Sequence, residues 1–309
     1  MNSRHLIQAV VFVAVIAALA VAQDQASASK PQEIPERPGE ITPSLPQDAN
    51  QYVRASIQHE LIEEDRDHSH WRYSLHREDS KGSQDRDVIE TPEGSLSRTL
   101  LKWGRPLNPQ EHQEDEARMQ KQVSDPDERA KHNKREKKDS EKARQMLRSI
   151  PEAFMFTYDG QEDGLVRLSF VPNAHFEPPN LELRIFRSVH GKLWIDRHSS
   201  RLARIEGELF EDVNFGFGLL GHLNKGGTFK VVRKDVGDGN WNIVSEEVNM
   251  TGRAAIFKTI SEKQKQILTG YHRVPDSLTL TQAYEMLTRD PNSVAATNDH
   301  AAVRPQGKN

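Results

Sequence analysis

From Trp71 to Ile256 the chain repeatedly alternates apolar and polar residues with a period of two. Trp71, Tyr73 and Leu75 interleave with Arg72, Ser74 and His76. Phe154, Phe156 and Tyr158 fall on one side, and after the turn Asp159–Gly164 so do Val166, Leu168 and Phe170. Leu183/Ile185, Leu193/Ile195, Ala203/Ile205, Phe229/Val231, Trp241/Ile243, Val248/Met250 and Ala254/Ile256 continue the series. Such alternation marks strands with one buried and one wet face. The connections are short: Val189–Leu193 reads as a tight turn, Arg197–Ser200 as another, and Gly237–Asn240 as a third. Parallel neighbours need crossovers of about a dozen residues or more, so these strands must pair antiparallel. The expected fold is mainly β (α+β): a large curved antiparallel sheet of nine or ten strands, or half-open barrel, because a sheet of that size curls.

Two helical features accompany it. Val53, Ile57 and Leu61 share a stripe on one early helix, expected from Asp48 to about Glu64. Residues 108–149 form a charged helical insertion with acidic and basic residues in balance, and Asp125-Pro126 should split it into two helices. With few apolar letters, the insertion reads as a solvated excursion. Residues 276–309 read as a short helix (Leu280 to Leu287) and then a polar tail.

Arg4 and His5 precede the apolar run Ala9–Ala22, followed by small-residue sites at Ala20–Ala22 and Ala26–Ala28. A run this short falls below the ~20 residues of a spanning helix and predicts a cleaved signal peptide over 1–28. A proline-rich linker over 29–47 would then lead into the sheet domain at 48–275. The expected location is the periplasm. That compartment permits disulfides, yet the chain has no cysteine, so its stability must come from a core. A net charge of −4 in a chain that is 28% charged offers no footprint for nucleic acid.

Letters that promise chemistry do not assemble. Gly216, Gly218 and Gly221 spell a dinucleotide fingerprint, but Gly226-Gly227 leaves no room for the helix that must follow. Gly227 also occupies the position of a P-loop lysine. His59-Glu60-x-x-Glu63 lacks the second histidine of a zinc helix, and His68, His70 and His76 should lie on a wet strand face without further ligands. No Gly-x-Ser-x-Gly elbow occurs. The expectation is a non-enzymatic protein without cofactor or metal.

The run Leu193-Trp-Ile-Asp196, followed by Arg201-Leu-Ala-Arg-Ile-Glu-Gly207, resembles the LolA/LolB-like periplasmic carriers that sort lipoproteins to the outer membrane. The order of signal peptide, early helix and long antiparallel series over roughly residues 50–273 resembles them too. The resemblance implies a half-open barrel covered by helices, whose concave inside receives the acyl chains of lipids or lipoproteins. Membrane contact would be transient, and an envelope protein is a further class of partner. The family's lid-holding arginine matches either Arg54 or Arg98. The residues expected to line the concave apolar face are Phe154, Phe156, Leu168, Phe170, Leu183, Ile185, Leu193, Ile195, Phe229, Val231 and Ile243. The same residues would equally serve as a core filled by the early helix.

Overall fold

The computed structural model describes residues 45–215, 221–254 and 258–289. Helix α1 spans Ala49–Arg66, capped by the Asp48 carboxylate, which accepts from the Asn50 N–H. Strands β1 (His70–Asp79), β2 (Gly82–Thr91), β3 (Gly94–Lys102) and the short β4 (Arg105–Pro106) follow as a meander. Helices α2 (Pro109–Ser124) and α3 (Pro126–Ala153) come next, then β5 (Phe154–Glu162) and β6 (Leu165–Pro172). A 3₁₀ segment, Glu182–Ser188, precedes β7 (Val189–Asp196) and β8 (Leu202–Leu209). The small strands β9 (Val213–Phe215) and β10 (Gly221–Leu223) lead to β11 (Thr228–Asp235), β12 (Trp241–Ala254), β13 (Lys258–Val274) and helix α4 (Leu280–Arg289).

All thirteen strands belong to one antiparallel sheet, ordered β4-β3-β2-β1-β13-β12-β11-β8-β7-β6-β5, with β10 and β9 branching from β12. The sheet is not closed into a barrel: β4 and β5 remain as edges. Three strands lie beyond the sequence expectation. β2 and β13 are strongly polar, and β3 is mixed, so alternation there carries little hydrophobic contrast. Leu183 and Ile185 sit in the 3₁₀ segment rather than in a strand, held there by the Asn180 side chain accepting from the Leu183 N–H. Val189–Leu193 is not a turn but the start of β7.

Glycine explains that last difference. A Cβ on Gly191 would stand 1.9 Å from the Glu206 carbonyl and 2.8 Å from the Phe170 ring. One on Gly207 would meet the Phe229 ring at 2.4 Å. Gly191 and Gly207 are register partners, and the rings of Phe170 and Phe229 close over them. Glycines inside strands mark such close approaches and bends, and here they let β6, β7, β8 and β11 curl together.

The sheet has two differently covered ends. On its inner face, β5–β8 pack against α1, the C-terminal half of α3 and the 3₁₀ segment around Phe154, Phe156, Leu168, Leu193 and Ile195. The inner face continues over β11, β12, β13, β1 and β2 as a cluster of Val231, Ile243, Leu268, Trp71, Tyr73 and Val88. The outer face is covered at the other end, where Ile89 and Leu96 pack under Met119 of α2 and Leu280, Ala283 and Leu287 of α4.

The charged insertion is therefore not a solvated excursion. Asp125-Pro126 does divide it, with Asn108 and Glu111 forming a capping box for α2 and Asp125 capping α3. Its few apolar residues fall where they can dock: Met119, Ala143, Met146, Leu147 and Ile150 are all buried. At 28 residues α3 is ~42 Å long. Its early part meets the β2–β3 hairpin, where Asn133 donates to the Glu93 carbonyl and Ser95 donates to Glu136. Its last turns pack beside β5. One helix thus ties together the regions of the two open edges. Likewise the C-terminal helix is a docked part of a core.

Candidate ligand site

The inner face changes chemistry along a single line. Strand register places Leu168, Leu193, Ile205, Val231, Glu246, Gln266 and Arg77 in one row across β6, β7, β8, β11, β12, β13 and β1. The first four are aliphatic and the last three polar. Glu246 and the neighbouring Gln264 are each only 2% exposed. Glu246 Oε1 and both amide atoms of Gln264 make no hydrogen bond. Leaving such a group unpaired costs about 1–3 kcal/mol. Burial pushes the Glu246 carboxyl up to about 7, against a smaller opposing pull from Arg77.

Where α1 ends, a second polar cluster fastens that helix to the sheet. Glu60 is fully buried, and its Oε1 accepts from the Leu202 N–H at 2.5 Å. The same oxygen lies 3.0 Å from Arg201 Nε and 2.9 Å from Arg233 Nη1. Burial works against the charge of Glu60, but Arg233 and Arg201 outweigh it and hold the carboxyl below its ordinary range. Arg233 also donates to the carbonyls of Leu202 and Trp241. Burial lowers its pKa, against the pull of Glu60. Nearby, Ser56 donates to the Ser200 carbonyl at 2.7 Å. These groups border a cavity of about 330 Å³, which Trp71, Glu90, Trp241 and Asn242 also line.

A broader groove of about 1080 Å³ crosses the uncovered outer face. One wall is a row of alternating charge, Lys192, Glu206, Lys230, Glu247, Lys265 and Glu78, each opposite the next on adjacent strands. Lys230 reaches Glu206 at 3.2 Å and Lys265 reaches Glu247 at 3.4 Å, so the row pairs within itself.

Of the residues expected on the concave face, Phe154, Phe156, Leu168, Phe170, Leu193 and Ile195 lie together on β5–β7 and are covered by helices. Leu183 and Ile185 join that cluster from the 3₁₀ segment, and Phe229 packs against it. Val231 and Ile243 belong to the neighbouring cluster with Trp71 and Tyr73. Neither Arg54 nor Arg98 fastens α1 to the sheet. Arg54 pairs with Glu152 on α3, and Arg98 donates to the Leu287 carbonyl on α4. Arg201 and Arg233 hold the helix instead, through Glu60 of the rejected zinc-helix motif. A glutamate recurring on the apolar stripe of α1, at Val53, Ile57 and Glu60, was the available signal.

His70 is buried, 3.8 Å from Asp276, and not on a wet face, because the segment after β13 folds over it. His76 lies between Asp85 and Glu78, while His68 precedes the strand. Among the described residues no group of three His, Asp or Glu side chains could hold a metal. Gly221 opens a strand that pairs with β9 and β12, so no nucleotide-binding helix follows it. Gly216 and Gly218 lie outside the described residues. No described helix is long and apolar enough to cross a membrane. Compared with protein-family models, with curated proteins and with solved structures, the chain matches none.

Proposed function

We propose that this is a secreted, periplasmic, non-enzymatic lipid- or lipoprotein-binding protein that receives acyl chains on the inner face of its sheet. The supporting observation is the way that face is covered. Its apolar part on β5–β8 is roofed by helices, not by a second sheet, and α1 carries both apolar contacts and the polar Glu60 fastening. Lifting α1 would uncover neighbours of Phe156, Leu168, Leu193 and Ile195. Each methylene then buried there contributes about 0.8 kcal/mol, so a long chain needs no charged contact to bind.

The test uses delipidated protein and a fluorescent fatty acid or diacyl lipopeptide. Saturable uptake, competed by unlabelled lipid, is expected. Because the chain has no cysteine, a Ser56→Cys/Ser200→Cys pair can pin α1 to the sheet. Oxidation should then abolish uptake and a reductant restore it. Absence of saturable binding would leave the second reading, an envelope protein-interaction module without lipid cargo. That reading draws on the filled interior and the charged outer groove.

A further inference from the structure

The cavity beside Glu60 has a composition that selects among ligands. Its lining holds four arginines and six carboxylates. An anion would face the carboxylate excess. A metal cation would find Glu60 already engaged by two guanidinium groups and a backbone N–H. An apolar ligand would strand donors that have no acceptor: Asn242 Nδ2 and Arg233 Nε are buried without a hydrogen-bond partner, on residues that are each 5% exposed. What remains is a neutral molecule that both donates and accepts. Two indoles, Trp71 and Trp241, border the same space and offer flat apolar surface. Hydroxyl groups answer the mixed donors and carboxylates, and the C–H face of a ring answers an indole. The volume of about 330 Å³ equals roughly eleven waters at ~30 Å³ each, space for one sugar ring with ordered water.

We infer that this cavity is a binding site for a neutral polyhydroxylated ring, a sugar or cyclic polyol, held by Asn242, Arg233 and neighbouring carboxylates against Trp71 and Trp241. The site stands apart from acyl binding: it needs neither an opened α1 nor an apolar ligand. Sites built to hydrogen-bond hydroxyls reject analogues lacking them, since their polar groups would be left unpaired. Selectivity for polyols over apolar or charged ligands of the same size follows.

The test titrates the full mature chain with D-glucose, D-galactose, D-mannose and myo-inositol, followed by tryptophan fluorescence and calorimetry. The same sugars on octyl glycosides form a second arm, and inorganic phosphate and calcium a third. Saturable binding of at least one free sugar supports a free polyol as ligand. Binding confined to the glycosides supports the head group of a glycolipid, provided that Asn242→Leu weakens it. Asn242→Leu should weaken binding at least about tenfold, the effect of one lost hydrogen bond in a dry site. Trp241→Ala, at a half-buried position, should weaken it comparably and guards against misfolding of the first variant; circular dichroism verifies both. Binding of phosphate or calcium in place of sugars overturns the inference. So does no sugar binding in either arm, or affinity unchanged in both folded variants.

Discussion

At the scale of single residues, the interior is shaped by a few charges that burial would ordinarily exclude. Glu60 is satisfied by Arg201, Arg233 and a backbone N–H, and its carboxyl stays ionised. Glu246 has no such partners and its carboxyl rises to about 7. The two buried glutamates therefore respond to pH in opposite senses. Between its ordinary value near 4.5 and about 7, Glu246 keeps a proton in the native state that the unfolded chain has lost. Stability from this group must fall as pH rises through that window. Glu246→Gln removes the penalty. Urea unfolding should show the variant level with the parent near ~pH 4 and more stable by about 3 kcal/mol near ~pH 8. An equal offset at both pH values would refute the assignment. Glu60 titrates the other way: its stabilisation is present above the ordinary carboxylate value and is lost as pH falls through its lowered one.

Among the elements, the curl of β6–β8 rests on two glycines that sequence reading treats as turn formers. Gly191 occupies a strand where a side chain would strike the next strand's backbone at 1.9 Å. Gly191→Ala is therefore expected to destabilise the protein by about 1–3 kcal/mol, the cost of overpacking. The control is Gly164→Ala. Nothing lies within 4 Å of the added methyl there, and only a positive φ of 77° opposes it, so the loss should be smaller. Denaturant midpoints of the two variants decide, and equal losses would mean that the bend tolerates a side chain. The helices show how much of an element's role is tertiary. The boundaries of α1, α2 and α3 were legible in Asp48, in Asn108-Pro109 with Glu111, and in Asp125-Pro126, because caps act locally. That α3 would dock was not legible, since the contacts of Asn133 and Glu136 are polar and distant in sequence.

For the whole molecule, one continuous sheet carries helices on its inner face at one end and on its outer face at the other. Hydrogen bonds between β1 and β13, and between β12 and β13, join the two ends. The end built on Ile89, Leu96 and α4 has the smaller apolar cluster. Leu287→Ala should cost about 2–5 kcal/mol locally. Hydrogen exchange should show it as faster opening of β2, β3 and α4, with β6–β8 still protected. Uniform acceleration over all strands would instead mean that the sheet opens as one unit.

The sequence alone determined that the chain folds as a large antiparallel sheet, where its early helix and the paired helices of the insertion begin, and that glycine letters near Gly221 make no nucleotide site. Period-two alternation, short turns and capping residues are local signals, and local physics suffices for them. Only the tertiary structure decided that β2 and the Gln-rich β13 are strands with buried polar residues. It alone gathered Glu60, Arg201, Arg233 and Asn242 around one cavity, and laid Glu246 at the end of an apolar row. Those groups come from strands and helices as far as 182 residues apart in the chain. Their pairing energies exist only once the sheet has brought their charges out of water and within a few ångströms of one another.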